Sequence, residues 1–259
     1  MLALATSLSA QTSTDRQPEL GQPGKDVIWL PSQLVQVESM LDMAQVTAND
    51  VVMDLGSGDG RLVIAAAKRG ARAVGVEYNP DLVEFSRRNA AAQRVADKAT
   101  FIRADLFETD LSSATVITLF LHLDLNLKLR PKLLDLPPGT RVVSNTFSMG
   151  DWEPEDVWVG DASCANCSAL MWIVPAKVQG TWQLAQGELT LTQTLQRVTG
   201  TLRTGTASLS IGDGRLRADR ITFTAGSVRY TGRVRGRVIE GTATTGQNVV
   251  KWSATRTGS

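Results

Sequence analysis

Apolar and polar positions change period once along this chain, and the change divides it. Before about Pro175, short apolar runs alternate with stretches whose apolar residues recur at helical spacing. The runs at 51–55, 72–77, 99–104, 114–120 and 141–146 read as strands buried on both faces. Helices are predicted at Gln33–Ala44, where Leu34, Val37, Met40, Leu41 and Ala44 share a face behind Pro31-Ser32, and at 60–69, 80–95 and 123–134. Val157–Gly160 and Ala169–Pro175 read as a closing hairpin. Strands alternating with helices predict a parallel sheet with right-handed crossovers and a ligand at the carboxyl ends of the strands.

From Gly180 the period becomes two. Alternating runs at 188–194, 198–203, 207–211, 220–225, 227–234, 237–242 and 249–255 are separated by glycine-containing turns, with no helical signal. An antiparallel meander of about 75 residues, closing as a small barrel or a sandwich, is expected. The predicted organisation is a lead-in at 1–26, an α/β domain at 27–176 and an all-β domain at 177–259.

Charge sharpens that division. The net charge is +1, yet Arg197–Ser259 holds eleven Lys/Arg against three Asp/Glu, whereas Met1–Gln196 holds sixteen against twenty-three. The meander's arginines alternate with Val, Ile and Tyr and so share one face. That face is either merely solvated or a docking surface for an acidic partner or a membrane surface of anionic lipid. No apolar run has membrane-spanning length. Met1–Ala10 is apolar and small, and Leu8-Ser9-Ala10 resembles the end of a signal peptide. It predicts export to the periplasm, with a cytoplasmic protein as the alternative. Cys164 and Cys167 are the only cysteines; with no partner pair or histidine cluster they make no metal site. An oxidising compartment would close them into a small disulfide loop.

The candidate chemistry begins at Val51-Val52-Met53-Asp54-Leu55-Gly56-Ser57-Gly58-Asp59-Gly60, a strand, an acid and alternating glycines, with a helix following. Glycines let the backbone approach a ligand, and the helix N-terminus offers unpaired N–H groups. Arg61 stands where a dinucleotide fingerprint needs a third glycine, and no Gly-Lys-Ser/Thr follows, so neither dinucleotide nor triphosphate fits. Glu77 ends the second strand, where an acid can take ribose hydroxyls. Asp105 ends the third.

These three elements resemble the motifs of class I S-adenosylmethionine-dependent methyltransferases. With Leu30-Pro31, Asp105-Leu106-Phe107, Leu125–Pro131 and Met149-Gly150-Asp151-Trp152 they resemble bacterial relatives of the FAM173 protein-lysine methyltransferases. The resemblance implies a Rossmann-like seven-stranded methyltransferase sheet, S-adenosyl-L-methionine as cofactor and lysine N-methylation, in eukaryotic members of membrane-embedded carriers. It assigns Asp54, Gly56, Ser57, Gly58 and Gly60 to the cofactor, together with Glu77 and Tyr78, and Asp105 and Leu106 near the adenine. Trp29 and Pro31 are candidates for a lid over the cofactor, or Trp29 for a staple in the core.

An amine acceptor must lose a proton. The loop Leu121-His122-Leu123-Asp124-Leu125-Asn126 supplies the candidates Asp124 and Asn126, whose plainer role is helix capping. It lacks the Asn/Asp-Pro-Pro-Tyr signature of nucleic-acid amino-methyltransferases, and the catalytic half is not basic, so no nucleic-acid partner is expected. A protein lysine is the expected acceptor. A small-molecule acceptor and an exported, non-catalytic binding module are the rivals.

Overall fold

A computed structural model describes residues 18–162 and 164–257. The signal-like start at Met1–Ala10 lies outside them. The elements of the first half are α1 (Leu34–Met43), β1 (Val51–Leu55), α2 (Arg61–Lys68), β2 (Arg72–Glu77), α3 (Pro80–Ala92), β3 (Ala99–Arg103), β4 (Val116–Leu119), α4 (Leu123–Leu134), β5 (Arg141–Asn145), β6 (Asp156–Val159) and β7 (Ser168–Ile173). They form a mixed seven-stranded sheet in the order β3-β2-β1-β4-β5-β7-β6. β1 pairs in parallel with β2 and β4, so Asp54 lies opposite Gly75 and Thr118.

Local chemistry fixes the element ends. The Asn79 side chain accepts from the Asp81 N–H at 2.9 Å ahead of Pro80, which starts α3 as a capped helix with proline at its first position. Asp59 accepts from the Arg61 N–H at 3.2 Å at the start of α2. Val52, Leu55, Val116, Ile117, Val142 and Val143 are wholly or almost wholly shielded, as a two-sided sheet requires.

The remaining strands are β8 (Gly180–Leu184), β9 (Gly187–Thr194), β10 (Arg197–Thr204), β11 (Ala207–Arg217), β12 (Arg220–Ala225), β13 (Val228–Arg235), β14 (Val238–Thr245) and β15 (Asn248–Thr257). They close into an antiparallel barrel, which decides between the two expected forms. Two differences from the sequence reading have physical causes. β8 is an additional strand, and its pairing of Thr181 with Thr257 and Leu184 with Ala254 closes the ring. Its closing partner is remote in sequence, so no hairpin signal marks that edge. β11 continues beyond Ile211 because Gly212-Asp213-Gly214, which reads as a turn, is a bulge: the register with β12 shifts between Gly212 and Arg215.

Alternate residues fill the barrel. Trp182, Leu189, Leu191, Leu216, Ile221, Phe223 and Ile239 are almost wholly buried. Phe223 stacks on Tyr230, and Trp252 meets both edge-on at 5.9 and 5.5 Å. The indole N–H groups are satisfied by Val178 O for Trp182 and Thr231 O for Trp252.

By its contacts the chain forms two compact units. One holds the chain up to His122 with Val143–Phe147 and Trp158–Ala169; the other holds Leu123–Val142, Ser148–Val157 and Leu170 onward. Cys164 and Cys167 form a disulfide within the first.

Candidate active site

The first unit assembles the loop after β1 from backbone outward. Gly56 and Ser57 donate their N–H groups to Val76 O at 2.8 and 3.1 Å, binding the loop to β2. Gly56, Gly58 and Gly60 take φ values of +82°, +54° and +79°, the left-handed region that glycine enters without a Cβ penalty. Gly75, opposite on β2, serves by closeness: a Cβ there would lie 2.6 Å from both Ser57 Oγ and the Phe101 ring. The Ser57 hydroxyl is buried and has no hydrogen-bond partner among the described residues.

Two acids, Asp54 and Glu77, meet at this loop, and a third, Asp105, follows the end of β3. Glu77 accepts from the Gly58 N–H at 3.0 Å through one oxygen and from the Asn79 N–H at 2.8 Å through the other. Asp54 accepts from the buried Thr118 hydroxyl at 2.7 Å. Burial pushes the Asp54 carboxyl up to about 7, against the lowering effect of Thr118. Burial raises Glu77 as well, partly offset by the amides of Asn79 and Gly58. Asp105 accepts from the Phe107 N–H at 2.8 Å and forms an ion pair with Lys25. The Lys25 ammonium also lies 5.0 Å from the centre of the Tyr78 ring, which is half exposed. Leu106 is half-buried beside Asp105.

The lead-in folds onto this loop. The Trp29 indole packs so closely on Gly58 that a Cβ there would meet its Nε1 at 2.5 Å. Trp29 pairs backbone to backbone with Gln22 and Gly21. The Arg61 guanidinium, held by Asp59, donates to Ser32 O, and Asn145 donates to Ser32 Oγ at 2.8 Å. The Gln36 amide donates to Asn145 Oδ1 and to Ser168 O. Trp29 is therefore a cover over the glycine loop rather than a staple in the core.

These residues suit a cationic nucleoside. Glu77 keeps lone pairs for ribose hydroxyls, Asp105 can accept from an adenine amine, and Tyr78 offers an aromatic face beside it. Burial raises both Asp54 and Glu77, and positive charge nearby would work the other way, since an opposite charge favours the ionised carboxylate. When bound, S-adenosylmethionine supplies an electrophilic methyl group on its sulfonium. The orphaned Ser57 hydroxyl is a further group with which the loop can meet it.

Asp124 and Asn126 belong to the other compact unit. Asp124 is exposed in the first turn of α4. Asn126 is wholly buried, and its amide donates to Ser148 O at 3.1 Å. His122 is exposed, its ring 5.0 Å from that of Phe147. Among the described residues no cluster of His, Cys, Asp or Glu could hold a metal. Sequence reasoning missed Thr118 and Lys25. Thr118 was detectable as the polar position in an otherwise apolar strand, whereas Lys25 lies in a lead-in without periodicity.

Sheet order, glycine loop and strand-end acids together define the class I S-adenosylmethionine-dependent methyltransferases. Residues 54–156 match the family model of the ANTKMT methyltransferase domain. A protein-lysine N-methyltransferase of Saccharolobus islandicus is 38% identical over 151 residues, covering 57% of this chain and 94% of that protein. The adenine nucleotide translocase lysine N-methyltransferase of Mus musculus is 38% identical over 130 residues, which are 49% of this chain and 56% of the mouse protein. A solved Salinibacter ruber protein, described as an RNA methyltransferase in complex with S-adenosyl-L-homocysteine, is 46% identical with a TM-score of 0.54, covering 57% of this chain and 96% of that one. The chain belongs to this family: it is a class I S-adenosylmethionine-dependent methyltransferase of the FAM173 group, and S-adenosylmethionine is its cofactor.

Proposed function

We propose that this enzyme methylates the side-chain amine of a protein lysine. The observation that carries the reading is the likeness to the Saccharolobus islandicus protein-lysine N-methyltransferase, which the chain covers almost end to end. The acceptor-facing side of the first unit is consistent with it. Ile28, Leu30, Leu34 and Val35 are exposed on the segment whose Trp29 covers the glycine loop, an apolar approach for a polypeptide rather than for a charged metabolite. On this reading Asp124 takes the proton from the lysine ammonium, and Asn126 is a positioning residue that holds the segment at Ser148. The barrel's basic outer face serves to meet an anionic partner. Export is proposed as well, from the signal-like start and from the Cys164–Cys167 disulfide, which an oxidising compartment would preserve.

The test supplies methyl-labelled cofactor to the enzyme with a bacterial extract resolved into protein, RNA and metabolite fractions. Label recovered as methyl-lysine after acid hydrolysis is expected. Label confined to RNA, the acceptor named for the Salinibacter ruber relative, or to metabolites would overturn the reading. Asp124→Asn is expected to lose most turnover while its affinity for S-adenosylhomocysteine stays unchanged.

A further inference from the structure

We propose that one rim of the C-terminal barrel docks onto an anionic lipid bilayer. The turns Ala185-Gln186, Gly205-Thr206, Gly226-Ser227 and Gly246-Gln247 all lie at the same end of the antiparallel ring. Two hairpins project beyond the others there. β12 pairs with β11 only from Ile211 onward, so Ala207–Ser210 has no neighbour on that side. β8 pairs with β15 only from Ala254 onward, so Asn248–Ser253 has none either. β11 and β15 are four strands apart in either direction around the ring, which puts the two prongs on opposite sides of the barrel mouth. A flat surface meeting this end touches both.

The chemistry of the prongs matches a headgroup layer. Leu209, Val249 and Val250 are 38%, 58% and 52% exposed, and all three sit on the projecting segments. Arg229 and Lys251 flank them at the rim, Arg203 stands beside Ser208 on the first prong, and all three are exposed. Among the described residues no ion pair engages any of them; Glu188 lies opposite Arg203, and Glu240 lines the same surface hollow as Lys251. At the other end Arg197, Arg215, Arg217 and Arg233 are taken up by Glu153, Glu155 and Asp219. Uncompensated cations and exposed aliphatics thus share one rim. Aliphatic tips enter the interface while the cations meet lipid phosphates. A nucleic acid would favour exposed aromatic platforms, and every aromatic ring of the barrel is buried.

The proposal stands apart from the methyl acceptor, and its test uses the full chain without cofactor. Co-sedimentation is measured with vesicles of phosphatidylcholine alone and of phosphatidylcholine mixed with phosphatidylglycerol. Binding to the anionic vesicles at least about tenfold stronger than to the neutral ones is expected, weakening as salt is raised. The double variant Val249→Asp, Val250→Asp and the double variant Arg229→Glu, Lys251→Glu are each expected to lose about tenfold, with the melting temperature unchanged because all four side chains are exposed. Equal sedimentation with both vesicles, no sedimentation, or binding that survives both double variants would overturn the proposal. So would a charge-reversal loss of RNA binding without any vesicle binding, which would reassign the rim to nucleic acid.

Discussion

Asp54 stands at the tip of β1 with a carboxyl whose ionisation burial opposes, and the pH dependence of the enzyme follows from that. Its folded pKa of about 7 lies above the ordinary carboxylate value, so the folded state binds the proton more tightly than the unfolded chain. The stabilisation is fully present below the ordinary value and is lost as pH rises through about 7, at most on the order of 4 kcal/mol. Asp54→Asn keeps an acceptor for Thr118 and does not titrate. Its melting temperature is expected to gain on that of the wild type between about pH 4 and about pH 7, where the unfolded chain has lost the proton and the folded protein still holds it. A constant difference across that range would show that Asp54 is already ionised when folded. Glu77 makes a second prediction. Glu77→Ala removes the acceptor of the Gly58 and Asn79 amides and the ribose-binding carboxylate together, so affinity for S-adenosylhomocysteine should fall by about tenfold or more in a folded protein. Calorimetric titration checks it, and unchanged affinity would remove Glu77 from the site. The acids and glycines were legible because they sit at strand ends with characteristic spacing. The side chains that tune them were not, because Thr118 and Lys25 act through contacts 64 and 80 residues distant in sequence.

Among the elements, helices and buried strands were the more readable half. Arg72–Glu77 and Leu123–Leu134 fall where periodicity places them. Asn79-Pro80-Asp81 marks the start of α3 through local capping alone. Seven of the eight barrel strands were found, all but β8, and the extent of β11 was not, since a bulge and a tight turn share the same residues. Glycine positions offer a test of barrel packing. Gly241 faces β13 so closely that a Cβ would lie 1.8 Å from Thr231 O, whereas around Gly246, in the β14–β15 turn, nothing lies within 4 Å. Gly246→Ala should cost only the left-handed strain at φ +59°, about 1 kcal/mol. Gly241→Ala must push two paired strands apart and should cost several times as much, at least about 3 kcal/mol. Denaturant unfolding of the two variants would reveal the order, and equal losses would contradict this packing.

For the whole molecule, the change of hydrophobic period located the two architectures, and the charge division along the sequence became a chemical division in space. The barrel's acid-poor surface pairs Arg197, Arg215 and Arg217 with Glu153 and Glu155 at one end, and among the described residues no ion pair takes up Arg203, Arg229 or Lys251 at the other. Periodicity showed that arginines share a face but could not show which end of that face is neutralised, because Glu153 and Glu155, which take up three of the four paired arginines, come from outside the meander. Ring closure through β8 and β15 carries one more consequence, for how the protein is made. On the closing edge Thr181 waits for Thr257, so every hairpin between them emerges from the ribosome before the ring can shut. Until then β8 and the newest hairpin each present a bare strand edge, the arrangement most prone to pairing with another chain. Closure is therefore a late, long-range step, slow by the entropy of joining ends so far apart, and the nascent barrel spends its synthesis exposed to misassembly.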